Sequence, residues 1–231
     1  LPDSGADSSR YSWKEIPGSS HEILRRWILS LPAGLSLLDL GAGQGHLGKQ
    51  VRPHVARLTG VEVDPAAAAA SAGTYDRWIT SSLSPDLSFG ERFDIVVCAD
   101  ILEHLAAPRD VLSAIRKWLN PGGLLFVSLP NIANVTVRLS LLFGRFEYAE
   151  RGILDRGHMS FFTRQSARKM LTSEGFQVER VAASAMPAEL AVPLLGRPPL
   201  SPIVRRGFRL AAGILPTLFG YQFVLQARAG D

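Results

Sequence analysis

Two rhythms of apolar residues alternate along the chain. Short apolar runs at 37–40, 60–63, 93–99 and 124–129 are nearly unbroken, and the segments between them repeat their apolar residues every three or four positions. Unbroken runs read as strands buried on both faces, and the spaced pattern reads as helices with one apolar stripe. Ile23, Leu24, Trp27, Ile28 and Leu31 make such a stripe over 21–31, with Ser19 or Ser20 placed to cap the helix and Pro32-Ala33-Gly34 to end it. The same reading predicts a helix from about residue 45 into 51–55, another after Pro65, and a third over 108–119 facing inward through Val111, Leu112, Ile115 and Leu119. Trp78-Ile79-Thr80 is a short strand. Beyond Pro130, a helix over 133–143, a polar and aromatic loop over 144–160, a Thr163-capped helix over 164–173, and strands at 176–181 and 220–227 complete the series. Strands alternating with helices predict an α/β fold with a doubly wound, mostly parallel sheet.

At 231 residues with 46% hydrophobic content, the chain fits one elaborated domain. Residues 1–20 read as a flexible leader. The domain then runs over 21–231, with insertions at 131–163 and 182–219. Cys98 is the single cysteine, so no internal disulfide can form, which agrees with a cytoplasmic setting. No uncharged apolar stretch is long enough to span a bilayer. The net charge of +4 is concentrated: Arg197, Arg205, Arg206 and Arg209 face only Glu189 between Pro187 and Leu218. Elsewhere the chain is close to neutral, which excludes a general basic face for long nucleic acid. Val204, Phe208, Ala211 and Leu215 share one helical face beside Arg205 and Arg209. That pattern fits a helix packed over a substrate pocket or against a second subunit in a homodimer. It also fits a basic amphipathic helix over 200–218 resting peripherally on an anionic membrane.

The chemistry concentrates after the first strand. Leu37-Leu38-Asp39-Leu40 opens into Gly41-Ala42-Gly43-Gln44-Gly45, a sharp strand-to-helix bend with bare backbone where a ligand must come close. The next strand delivers Glu62, whose carboxylate can accept both hydroxyls of a ribose. Gly43-Gln44-Gly45-His46-Leu47-Gly48 is also a literal G-x-G-x-x-G, so a nicotinamide-dinucleotide enzyme has to be weighed. Against it, Asp39 would repel a pyrophosphate, and the alternating glycines begin before the literal match. Further motifs follow at Phe93-Asp94-Ile95-Val96-Val97-Cys98-Ala99-Asp100, Leu102-Glu103-His104-Leu105 and Asn120-Pro121-Gly122-Gly123.

In their order and spacing these segments resemble the class I S-adenosylmethionine-dependent methyltransferases, nearest the branch of the ubiquinone-biosynthesis O-methyltransferases and the sugar and polyketide methyltransferases. The resemblance covers roughly residues 20–185. It implies a seven-stranded Rossmann-like sheet with an antiparallel last strand, here preceded by a helical insert. It also implies S-adenosyl-L-methionine as cofactor. Asp39, Gly41, Ala42, Gly43 and Gly45 would hold its methionine part, and Glu62 with Val63 the ribose. Ser82 and Leu83 would flank the adenine, and Ala99 and Asp100 would close the pocket. Many relatives carry an acid where Ser82 stands, so contact with the adenine amino group here would lack charge assistance. Tyr11, Trp13 and His21 would fold over the cofactor.

Methyl transfer to a hydroxyl needs alignment, exclusion of water and a place for the proton, and histidine is the natural base near neutral pH. His158, in the acceptor region, is the first candidate, with Asp155 orienting its ring; otherwise it pins its loop to a backbone carbonyl. His104 is the second; otherwise it caps the helix start beside Glu103. Asp100, Glu103 and His104 stand at i, i+3 and i+4, and with His158 they would suit a divalent metal. This pattern resembles that of small-RNA 3′-end methyltransferases, but many relatives share Leu-Glu-His-Leu with no known metal, so none is expected. Arg138, Arg145, Arg151 and Arg156 could grip an anionic acceptor or pair with Glu147, Glu150 and Asp155. Asn131 and Asn134 are candidate acceptor contacts. The reading is O-methylation of a small metabolite, or of a sugar-bearing or lipid-linked acceptor. N- or C-methylation and a non-catalytic cofactor-binding protein are the alternatives.

Overall fold

The computed structural model describes residues 18–185 and 201–230. Seven strands form one sheet: β1 (Leu35–Leu40), β2 (Val55–Glu62), β3 (Arg77–Thr80), β4 (Phe93–Ala99), β5 (Leu119–Pro130), β6 (Phe176–Ala185) and β7 (Gly220–Ala229). Their spatial order is β3-β2-β1-β4-β5-β7-β6. The first five are parallel, and β7 runs antiparallel to both β5 and β6. The predicted doubly wound sheet with an antiparallel end is therefore the one observed.

Each strand alternates its side chains between two apolar layers, as a period of two requires. Leu38, Leu40, Val96 and Cys98 face one layer, and Leu37, Ile95 and Val97 face the other. The first layer is closed by α4 (Pro108–Trp118) and α6 (Arg164–Ser173), the second by α1 (Ser20–Leu29) and α2 (His46–Val51). Ile23, Leu24, Trp27 and Ile28 of α1 are all buried, and the Ser19 side chain caps the helix by accepting from Glu22 N at 3.2 Å. Thr163 and Ser166 form a reciprocal capping box on α6. Pro65 opens α3 (Pro65–Ala70) behind an Asp64 cap.

Two predicted helices end early. Pro53 breaks the one after the glycine bend, so α2 stops at Val51 and a 3-10 turn, Arg52–His54, follows. Leu119 leaves the helical stripe and begins β5. Past the sheet's centre come α5 (Val135–Leu142), α7 (Ser201–Ile214) and the short α8 (Pro216–Phe219). Among the described residues no helix is long and apolar enough to cross a membrane.

The chain direction reverses its lateral progress between β1 and β4, which lie side by side. A crevice therefore opens beyond the carboxyl ends of those two strands, the position where open α/β sheets bind ligands.

Candidate functional site

Three loops meet at that crevice, and the bend after β1 is the tightest. Gly41, Gly43 and Gly45 hold φ of 72°, 52° and 71°, a region costly for any residue with a Cβ. Their surroundings differ. A Cβ at Gly41 would lie 2.7 Å from Ile101 Cγ1, and one at Gly45 would lie 2.5 Å from Ser71 Oγ, whereas one at Gly43 would meet nothing within 4 Å. Gly43 thus presents bare backbone to open space, and its neighbours wedge the loop from behind. Gly41 N and Ala42 N both donate to Val61 O, tying the bend to β2. At the end of β2 the Glu62 carboxylate accepts three backbone N–H groups: Gly43 at 2.8 Å through Oε2, and Val63 at 2.7 Å and Asp64 at 3.1 Å through Oε1. Its orientation is fixed before any ligand arrives; Oε1 accepts twice already, and Oε2 keeps an open acceptor site. Val63 itself is exposed.

Behind the bend lies a device that sequence reading missed. Asp39 is buried at the end of β1 and accepts a 2.7 Å hydrogen bond from the Tyr75 hydroxyl. Three glycines from different elements box the Tyr75 ring. A Cβ at Gly45 or at Gly60 would come within 2.9 Å of it, and one at Gly48 would overlap its hydroxyl. The third glycine of the literal G-x-G-x-x-G therefore makes room for a tyrosine, and that spacing was the available signal. Burial pushes the Asp39 carboxyl up to about 6; the Tyr75 bond counters this, and the Glu62 charge adds to it. Burial and the Asp39 charge push the Tyr75 phenol far up, so it stays a donor.

At the end of β4, Asp100 adopts φ 53°, the one non-glycine residue with positive φ among those described. Its carboxylate accepts from the Ser128 hydroxyl, and its N–H donates back to Ser128 Oγ at 3.1 Å. The predicted i, i+3, i+4 face is corrected accordingly. Residues Leu102–His104 form a 3-10 turn and Asp100 is left-handed, so the three do not stand on one α-helical face. Glu103, His104 and His158 do come together, each offering a ligand atom within 4.8 Å of the others. The Glu103 carbonyl accepts from Met159 N at 2.8 Å and Ser160 N at 3.1 Å, which brings the distant loop against this turn. The two imidazoles meet edge to face at 4.8 Å.

Both rings are oriented by backbone carbonyls, His104 Nδ1 by Gly157 O at 3.0 Å and His158 Nδ1 by Ile153 O at 3.1 Å. A carbonyl only accepts, so each Nδ1 carries a proton, and in the neutral form of either ring the lone pair is on Nε2. Asp155 does not orient His158; its Oδ1 accepts from Gly157 N at 2.7 Å instead. Burial lowers the His158 imidazole below its ordinary range, keeping it neutral. Glu103 is buried and neither carboxylate oxygen has a partner. Burial, then the negative charges of Asp100 and Asp155, raise its carboxyl well above the usual range.

Other predicted residues fall into place unevenly. Ala99 closes β4 beside Asp100, and Leu83 packs partly against the core from the coil that also holds Ser82. Asn131 and Asn134 are not acceptor contacts: both are fully buried, and their amides donate to Gly220 O at 2.8 Å, with Asn131 also reaching Thr217 O at 2.9 Å. They staple the end of β5 to the start of β7. Arg156 pairs with Glu150 at 2.9 Å, and Arg138 donates to Ala133 O at 2.6 Å, so these two arginines have structural partners. Tyr11 and Trp13 lie outside the described residues.

A glycine bend, an acid anchored at the second strand and a crevice at the β1/β4 switch point together define a nucleoside-binding α/β domain. The family described as a methyltransferase domain matches residues 13–181, and the chain belongs to that family. Among curated relatives, the ubiquinone biosynthesis O-methyltransferase of Methylobacterium sp. (strain 4-46) is 32% identical over 105 residues, which are 43% of this chain and 42% of that protein. Its counterpart in Pseudomonas aeruginosa (strain UCBPP-PA14) is 32% identical over 108 residues, 43% of this chain and 46% of the relative. The match thus spans less than half the length of each. Among solved structures, the N-methyltransferase NodS of Bradyrhizobium japonicum WM9, in complex with S-adenosyl-L-homocysteine, superposes with a TM-score of 0.59 at 19% identity, covering 95% of this chain and 92% of that one. The [4+2]-cyclase SpnF gives 0.61 at 21% identity, covering 96% and 83%. At such identities the likeness is one of fold.

Proposed function

We propose that the chain binds S-adenosyl-L-methionine in the β1/β4 crevice and transfers its methyl group to a hydroxyl acceptor. The observation that carries this reading is the Glu62 carboxylate, pre-oriented by three backbone N–H groups beside the bare Gly43. A rigid carboxylate there accepts from the ribose diol through the open site on Oε2, and Asp39 supplies negative charge toward a cationic amino-acid portion. Val63, Ser82, Leu83, Ala99 and Asp100 border the nucleoside.

In the transfer itself the sulfur–methyl bond breaks as the oxygen–methyl bond forms in line, and the sulfonium charge is lost. The acceptor proton goes to the free Nε2 of His158, held neutral by burial and aimed by the Ile153 carbonyl. His104 stands beside it as the second histidine of the pocket wall. The acceptor is a small metabolite or a sugar-bearing or lipid-linked hydroxyl, in a domain over 21–231 with acceptor-region insertions at 131–163 and 182–219. Calorimetry with S-adenosylhomocysteine and with NAD tests the cofactor. The expected result is binding of the first only, with affinity falling about 10- to 100-fold in Glu62→Ala as the charge-assisted hydrogen bond to the ribose is lost. No binding of S-adenosylhomocysteine to the native chain would overturn the proposal. An N- or C-methyltransferase remains the alternative, and it predicts turnover that survives His158→Ala.

One observation favours a second reading of the same wall. The orphaned Glu103 carboxylate and the two free Nε2 atoms fit a divalent cation, whose charge would offset the cost of burying that acid. Glu103, His104 and His158 would hold it. A bound cation would supply Lewis acidity to an acceptor oxygen. Elemental analysis of metal-loaded chain reads this directly: about one equivalent retained by native chain and lost in Glu103→Gln is the expected outcome. Equal retention in both sinks it.

A further inference from the structure

We infer that α7 and the tip of α5 form a docking surface for an anionic lipid bilayer. The large hydrophobic side chains exposed among the described residues lie, Val63 apart, within 139–159 and 203–215. The fold brings these two segments to one rim. β5 ends at Pro130, which pairs with Gln222, and β7 starts antiparallel at Gly220, so α5 leaves the sheet where α8 enters it. The buried Asn131 and Asn134 amides lock that junction. The rim is the one formed by the carboxyl ends of the parallel strands, so the surface borders the β1/β4 crevice.

The helix α7 presents its apolar residues the wrong way round for a solvated element. Ile203, Leu210 and Ile214, at i, i+7 and i+11, share a face and are 71%, 60% and 76% exposed, whereas the small Ala212 is what the helix buries. Val204 and Phe208, expected on a face that packs over a pocket or a second subunit or rests on a membrane, are half-buried. Arg206 lies on the same outward face and Arg209 beside it, both exposed; α7 contains no acidic residue. Leu142 and Phe143 at the end of α5 are 76% and 74% exposed. Aliphatic residues flanked by arginine match the acyl boundary and anionic headgroups of a bilayer. A second copy of the chain meeting this face symmetrically would set arginine against arginine, so the charge pattern favours lipid over self-association.

The surface is independent of the methyl-transfer reading, and its test uses no cofactor. The full chain is sedimented with vesicles of phosphatidylcholine alone and of phosphatidylcholine with about 30% phosphatidylglycerol. Partitioning should favour the anionic vesicles by about tenfold or more and should weaken as salt is raised. Arg206→Glu should reduce binding to anionic vesicles about tenfold, and Leu210→Asp should abolish it. Both substitutions are on exposed positions, and an unchanged melting temperature checks that the fold is kept. Equal partitioning to both vesicle types, or no loss in either variant, overturns the proposal. A concentration-dependent dimer dispersed by Leu210→Asp, without vesicle binding, would assign the face to a second copy and overturn it equally.

Discussion

The two halves of the crevice are built by opposite means. On the bend side, every close approach is enforced by packing or by a backbone hydrogen bond: Gly41 against Ile101, Gly48 against Tyr75, and three N–H groups on Glu62. The opposite wall, built from the turn after β4 and the segment between β5 and β6, holds its histidines by single carbonyl contacts, and the chain between β5 and β7 leaves large apolar side chains in solvent. A ligand common to a whole family can be served by a rigid mould. Acceptors differ from one member to the next, and the loops that meet them carry the variation.

If that contrast is right, the two sides separate in their response to mutation. The largest effect belongs to His158→Ala, which should lower turnover by about 10²- to 10⁴-fold while leaving S-adenosylhomocysteine affinity within about twofold. Single-turnover rates and calorimetry on the same preparation check it. A variant that lost cofactor affinity in step with turnover would join the two halves and break the comparison.

Next in size is a change at the mould's hidden wall. Gly48→Ala places a methyl group where the Tyr75 hydroxyl sits, so it should destabilise the chain by about 1–3 kcal/mol through overpacking. Urea unfolding measures the loss. Affinity for S-adenosylhomocysteine should fall with it, because Tyr75 cannot move without releasing Asp39. Full stability in the variant would mean that the ring relaxes freely and the mould is softer than described.

How much of this was legible beforehand follows the same divide. The bend, the Glu62 anchor position and all seven strands were readable because each is written in a contiguous run whose period or glycine spacing has one structural solution. Thr163 was readable as a cap for the same reason. Tyr75 was not, since its role comes from missing Cβ atoms on Gly45, Gly48 and Gly60, which only the folded sheet assembles. Asn131 and Asn134 looked like ligand contacts from their place after β5. They instead satisfy the carbonyls of a chain segment some ninety positions away, at Thr217 and Gly220. Asp100 was counted with Glu103 and His104 on the assumption of an α-helical turn, and its left-handed backbone undid the spacing. Contacts between distant segments decided the tyrosine and the two asparagines, and one backbone angle decided Asp100.

The finest test of the mould is Tyr75→Phe, which deletes one oxygen and leaves the ring in its glycine box. Asp39 titrates at about 6 with the Tyr75 bond in place, and removing a bond that lowers this value must move it upward. In the proposed mode of binding a cationic cofactor favours the ionised carboxylate, so affinity in the native chain should decline as pH falls through about 6. Without cofactor the sign is reversed: a carboxyl raised by burial adds stability below its unfolded value near 4, and this is lost as pH rises through about 6. In the variant, the decline in affinity should begin at higher pH, and binding near pH 7 should weaken by about tenfold as the buried carboxylate loses its donor. Binding isotherms across pH 5 to 8, about one unit below the native titration and two above it, locate both midpoints. Coincident midpoints would show that the phenol merely fills space, leaving Asp39 held by the strand alone.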